Sequence, residues 1–206
     1  MIHVLHGFLG SPADFNFLAR YPGIKFYDLL NLPRIQAAPD DVLIGYSMGG
    51  RVVLEIASQN NFNFKKIILI NAHPGLGKEE EKIIRKDWED KVLTKMDQEN
   101  FLSLWNALPL FKHDNDLDPV PKDRLQDFKK CFNRMRLSNQ KNYLPEIISN
   151  KSKVSFIIGK LDDKYFEMAQ ERIVANNITC HFVSGGHRLF QHPDELIKIF
   201  KQEGIL

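Results

Sequence analysis

Val42-Leu43-Ile44-Gly45-Tyr46-Ser47-Met48-Gly49-Gly50-Arg51 is the stretch whose reading decides the fold. The apolar run Val42–Ile44 predicts a buried strand over Val42–Tyr46, whose end carries Gly-x-Ser-x-Gly at Gly45–Gly49. Beyond it, Val52, Val53, Ile56 and Ala57 continue from Gly49 at the three- and four-residue spacing of a helix face. Strand, tight turn and helix form the setting of a nucleophile elbow, in which a strained serine lifts its hydroxyl clear of the chain. The positions two before and two after such a serine are crowded by backbone, and Gly45 and Gly49 meet that demand. The pentapeptide alone also fits an ordinary glycine turn; its flanks favour the elbow.

Other short runs rich in Ile, Val and Phe predict further strands at Ile2–Leu5, Ile24–Tyr27, Lys66–Ile70, Val154–Ile158 and Thr179–Val183. Helical patterns separate them, near Tyr165–Ala175 and at Pro193–Gln202, where Pro193 suits a first turn. Buried strands alternating with helices predict an α/β fold with a mostly parallel sheet covered on both faces. The middle of the chain differs. Lys78–Met96 reads as a helix with Ile84, Trp88, Val92 and Met96 on one face, followed by helices at Phe101–Asn106 and Arg124–Leu137. We expect residues 1–74 and 151–206 to form the core and residues 75–150 a helical cap. The insertion exceeds an ordinary crossover, although helices merely covering one sheet face remain the alternative.

Composition excludes several classes. The chain has 206 residues, 43% apolar and 26% charged, with a net charge of +2. That suits a globular domain and gives no support for nucleic-acid or anionic-membrane binding. No apolar run is long enough to span a bilayer, and no secretion signal is visible, so a cytoplasmic location is expected. Cys131 and Cys180 lie far apart and read as free thiols. His6, His73, His113, His181, His187 and His192 show no zinc-ligand spacing, so no metal is implied.

A serine hydroxyl needs a base, and the base needs an orienting group. Asp162 follows the strand ending near Ile158, and His187 follows the next strand in Ser184-Gly185-Gly186-His187. Ser47, Asp162 and His187 therefore occur in the order Ser…Asp…His of α/β-hydrolases, each beyond the C-terminal end of a strand. Asp163 is a rival for the acid. His6-Gly7-Phe8 after the first strand and Met48 after the serine are placed to supply two oxyanion-hole N–H groups, from Phe8 and Met48. Arg51, one turn beyond Ser47, either faces the same pocket or is a solvated surface residue.

Several motifs occur together: His6-Gly7-Phe8-Leu9-Gly10-Ser11, Gly45-Tyr46-Ser47-Met48-Gly49-Gly50-Arg51, His73-Pro74-Gly75-Leu76, Phe101-x-x-x-Trp105-x-x-x-Pro109-x-Phe111 and Gly159-x-x-Asp162-x-Lys164-Tyr165. The combination resembles the SHCHC synthases of menaquinone biosynthesis (2-succinyl-6-hydroxy-2,4-cyclohexadiene-1-carboxylate synthase), within the α/β-hydrolase superfamily. The resemblance implies a C–O lyase that eliminates pyruvate from a cyclohexene carrying several carboxylates, with neither metal nor organic cofactor. The serine would then serve as a base, and the partner would be a small anionic substrate. Residue by residue, it implies substrate contacts at Tyr46, Arg51, Arg85, Trp105, Arg136 and Lys164. Against that family two departures are expected: a leading antiparallel hairpin that is reduced or missing, and a segment Leu29-Leu30-Asn31-Leu32-Pro33 without the family's Gly-His-Gly turn. A carboxylesterase or thioesterase with Ser47 as acyl-enzyme nucleophile is the competing reading. A silent binding protein on the same fold is a third.

Overall fold

Among the described residues, six short strands make one sheet: β1 (Ile2–Leu5), β2 (Ile24–Tyr27), β3 (Val42–Tyr46), β4 (Lys66–Ile70), β5 (Val154–Gly159) and β6 (Thr179–Val183). The computed structural model describes residues 1–31, 35, 38–117 and 120–206. Leu32 and Pro33, part of the segment expected to lack a Gly-His-Gly turn, lie outside the described residues. The strand order is β2-β1-β3-β4-β5-β6, and every pair is parallel. Among the described residues, then, the expected mostly parallel sheet is all-parallel and contains no antiparallel hairpin.

Alternation along the strands builds two cores. Leu5, Leu43, Ile67, Leu69, Phe156 and Ile158 pack on one face with Val52, Val53 and Ile56 of α1 (Met48–Gln59) and Met168 and Ala169 of α6 (Asp163–Arg172). Val4, Val42, Ile44, Ile68, Ile70 and Ile157 face the other way. They meet Phe15 and Leu18 of a 3-10 segment and Leu196, Ile197 and Phe200 of α7 (Pro193–Gln202). The inner strands β1, β3, β4 and β5 are buried on both faces and are predominantly apolar, with His3 and Ser155 as buried polar exceptions, whereas the edge strands β2 and β6 are only partly buried. The result is the α/β-hydrolase fold that the sequence predicts.

Between β4 and β5 run α2 (Glu79–Lys95), α3 (Phe101–Asn106), α4 (Lys122–Arg134) and α5 (Leu144–Ser149). The α5 helix is not apparent in the sequence, because it has only six residues and contains Pro145. The helix expected to reach Leu137 stops at Arg134, and the one expected over Tyr165–Ala175 starts at Asp163 and ends at Arg172. The face expected to carry Ile84 is also corrected. Ile84 is 72% exposed, whereas Val92 and Met96 of the same four-residue spacing are buried.

The strand order reverses between β1 and β3. The chain moves outward from β1 to β2 and then crosses back to β3. Ligands of open α/β sheets bind in the crevice outside the carboxyl ends of the strands at such a switch point. Phe8 follows β1 there and Ser47 follows β3.

Candidate active site

Ser47 has φ 50° and ψ −113°, a strained conformation that costs a non-glycine residue on the order of 1–3 kcal/mol. Neighbours hold it in place: its N–H donates to the Ile70 carbonyl at 2.8 Å, and its own carbonyl begins α1 through the Arg51 N–H. The flanking glycines are required by contact. A Cβ on Gly45 would stand 2.6 Å from the Gly49 carbonyl oxygen, and one on Gly49 would overlap the carbonyl oxygen of His6.

The three residues read as a triad come together. His187 Nε2 lies 3.0 Å from Ser47 Oγ, and His187 Nδ1 lies 2.6 Å from Asp162 Oδ2. Asp162 and His187 are both 2% exposed, so their pairing is shielded from water. The other oxygen of Asp162, Oδ1, accepts the Tyr165 N–H at 3.2 Å and caps α6. That fixes the carboxylate independently of the histidine. The rival, Asp163, is exposed and pairs with Lys112 at 2.7 Å, away from His187.

A cavity of about 180 Å³ opens over Ser47. Of the residues expected around it, Phe8, Tyr46, Met48, Arg51, Arg85, Trp105 and Lys164 all line it. Met48 is the first residue of α1, so its N–H has no acceptor within the helix. Phe8 packs its ring against Trp105, Phe128 and Phe132, which ties the turn after β1 to the inserted helices.

Arg136 is placed elsewhere. Its Nη1 pairs with Asp90 at 2.6 Å and its Nε with Asn133 at 3.0 Å, and it borders a separate cavity behind Arg51. The carboxylate one turn along α2 from Lys86 captures it, a pairing invisible at a separation of 46 residues.

The electrostatics of the cavity are cationic. Arg51 is buried, with Nη1 donating to the Met135 carbonyl at 2.7 Å, and burial reinforced by the neighbouring Arg85 lowers its pKa to about 10. It stays charged at neutral pH. Lys164 stands exposed at the rim, where partial desolvation and Arg85 lower its pKa. His73 is pushed down to about 3 by burial and by Arg172, Lys164, Arg51 and Arg85, so it is neutral and accepts the Gly75 N–H at 3.0 Å.

Sequence reasoning missed Glu89, which is fully buried in α2. Its carboxylate accepts Arg85 Nε at 2.8 Å, the Leu137 N–H at 2.8 Å and Ser138 Oγ at 2.6 Å. Arg85 is thereby held against the Trp88 ring, 4.3 Å from its centroid, at the cavity wall. Burial opposes the charge on Glu89, but the Ser138 hydrogen bond and Arg85 outweigh it and hold the carboxyl below its ordinary range. A carboxylate lowered on folding stabilises above its unfolded pKa, and that contribution is lost as pH falls through the folded value. We therefore expect Trp88 and Trp105 fluorescence to report loosening of the inserted helices below about pH 4. A Glu89→Gln variant should lose that acid transition; an identical acid transition would remove Glu89 as its cause.

The chain matches the alpha/beta hydrolase family over residues 4–199. Among curated proteins it is similar to the putative 2-succinyl-6-hydroxy-2,4-cyclohexadiene-1-carboxylate synthase of Bacillus subtilis (strain 168). That match is 25% identical over 159 residues and covers 71% of this chain and 56% of that protein. It is also similar to a putative synthase of the same name from Haemophilus influenzae, 30% identical over 144 residues, covering 63% of this chain and 57% of that one. The chain thus spans less than two thirds of the length of these relatives. Among solved structures, MenH from S. aureus superposes with a TM-score of 0.75 at 19% identity, covering 99% of this chain and 94% of that one. A carboxylesterase structure from Nitrososphaera gargenis gives 0.62 at 14% identity, covering 98% and 88%. At such identities the structural likenesses speak for the fold alone. Among the described residues, no helix is long and apolar enough to cross a membrane.

Proposed function

The chain belongs to the alpha/beta hydrolase family, and from that premise we propose that it is a C–O lyase of the SHCHC synthase type. Its reaction is the elimination of pyruvate from a cyclohexene carrying several carboxylates, a step of menaquinone biosynthesis. The observation that carries this reading is the buried guanidinium of Arg51, with Arg85 and Lys164, around a cavity that ends on Ser47. A cation held away from water is costly, and an anionic ligand offsets that cost. A simple ester needs no such group. The curated relatives carry the synthase name.

The geometry suits proton abstraction. His187, oriented by Asp162, takes the Ser47 proton, and the serine oxygen then removes a proton from a ring carbon. The electron pair released becomes a ring double bond, and the ring C–O bond breaks. Pyruvate departs as its enolate, takes the proton from the His187 imidazolium and tautomerises. Ser47 ends with the ring proton, so no acyl-enzyme forms. The Phe8 and Met48 N–H groups stabilise negative charge that develops on the substrate. The helices of residues 75–150 act as a cap that excludes water and presents Arg85 and Trp105 to the substrate. Tyr46 completes the wall below.

Incubation with the synthase substrate and, separately, with p-nitrophenyl acetate tests the assignment. Pyruvate release with slow ester turnover is expected. Fast ester turnover without pyruvate would replace the lyase by the esterase or thioesterase reading. Arg51→Ala is expected to raise KM by at least about tenfold, the loss of one charge-assisted contact of about 1.5–3 kcal/mol. An unchanged KM would remove Arg51 from substrate binding.

A further inference from the structure

The main chain of His187 is gripped from both sides. Its carbonyl accepts Asn71 Nδ2 at 2.7 Å, and the same nitrogen reaches the Gly186 carbonyl at 3.1 Å. Asn71 Oδ1 in turn accepts the Gly159 N–H at 3.0 Å. This fully buried side chain thus ties the end of β5 to the histidine loop. On the opposite side, Asp114 Oδ2 accepts the His187 N–H at 3.0 Å, and Asp114 Oδ1 accepts the Arg188 N–H at 3.1 Å. Asn71 belongs to the sheet edge after β4. Asp114 belongs to the insertion that carries the cavity's upper wall.

The grip from the insertion is reinforced. Arg188 is 1% exposed; its Nη2 donates to Asn106 Oδ1 at 2.6 Å, its Nη1 donates to the Asn115 carbonyl, and its guanidinium lies 4.1 Å from the Phe111 ring centroid. Gln191 exchanges two hydrogen bonds with the Asn115 backbone, at 3.0 and 3.1 Å. Phe111 itself packs against the His187 ring with centroids 5.6 Å apart. A Cβ on Gly186 would meet the Asp114 carboxylate at 2.5 Å, so the close approach needs glycine there.

We infer that Asp114 is a positioning residue. By accepting the His187 and Arg188 N–H groups on its two oxygens, it holds the imidazole between Asp162 and Ser47, and base alignment then depends on the inserted segment being seated. The inference rests on the reading of His187 as the base. A carboxylate suits this role because each of its oxygens accepts. An amide of the same shape turns one acceptor into a donor that confronts a backbone N–H.

Asp114→Asn and Asp114→Ala, compared with Asp116→Asn and His187→Ala, form the test. Asp116 is an exposed carboxylate of the same loop. Three quantities are measured: kcat and KM for pyruvate release, the rate at which a fluorophosphonate labels Ser47, and the melting midpoint. Both Asp114 variants are expected to lower kcat and labelling by about tenfold to a hundredfold, as small misplacements of reacting groups do, with KM nearly unchanged. Asp116→Asn should behave as the wild type. If Asp114→Ala fails to fold, the isosteric Asp114→Asn and its labelling rate still decide. Normal kcat and labelling in a folded Asp114→Asn would overturn the inference while leaving the triad reading intact. Normal labelling in His187→Ala would instead overturn the triad reading itself.

Discussion

Ser47→Ala is expected to lower turnover at least about 10³-fold while the protein stays folded. Ser47 Oγ is the atom that His187 Nε2 addresses at 3.0 Å, and alanine leaves the imidazole without an oxygen to deprotonate. The fold should tolerate the change, because the strained φ of 50° is held by backbone contacts, notably the Ser47 N–H to the Ile70 carbonyl. Residual activity would come from the N–H groups of Phe8 and Met48 and from the cations, none of which the substitution touches. Pyruvate release and the melting midpoint check the two halves. Turnover within tenfold of wild type would remove Ser47 from the chemistry.

The second large effect is on the fold. Gly159→Ala is expected to destabilise the protein by at least about 3 kcal/mol, the upper range for overpacking. For a chain of this size that is a drop on the order of 10 °C in the melting midpoint. A Cβ there would overlap the Gly186 carbonyl oxygen and stand 2.6 Å from the Gly185 carbonyl oxygen. Both are main-chain atoms of the loop that carries His187, and that loop is pinned by Asn71 and Asp114. Relief therefore requires moving the base, so kcat should fall along with stability. A midpoint within about 2 °C of wild type, well under the shift expected for overpacking, would show that the loop yields without cost.

The fold was legible because its elements are locally encoded. Runs such as Lys66–Ile70 and Thr179–Val183 are short, β-branched and bounded by turns, and each is a strand with the bounds the sequence predicts. The Ser, Asp and His follow strands β3, β5 and β6, so parallel topology alone brings them to one edge. What escaped reading depends on partners far along the chain. Glu89 meets Leu137 across 48 residues, Asp114 meets His187 across 73, and Asn71 meets Gly186 across 115. No local pattern announces such pairs. Arg136 looked like a pocket residue for the same reason in reverse: its match to a motif carries no record of Asp90. Ile84 shows the limit of periodicity, since α2 is a predominantly polar helix whose buried stripe starts only near Trp88.

The central claim is that Ser47 acts as a base rather than as an acyl nucleophile. Rapid-quench intact-mass analysis during turnover of the synthase substrate, with parallel quantitation of pyruvate, tests it most directly. The account predicts one pyruvate per substrate consumed and an enzyme of unchanged mass at every time point. A covalent adduct that forms and decays at the turnover rate, and that is absent in Ser47→Ala, would contradict it.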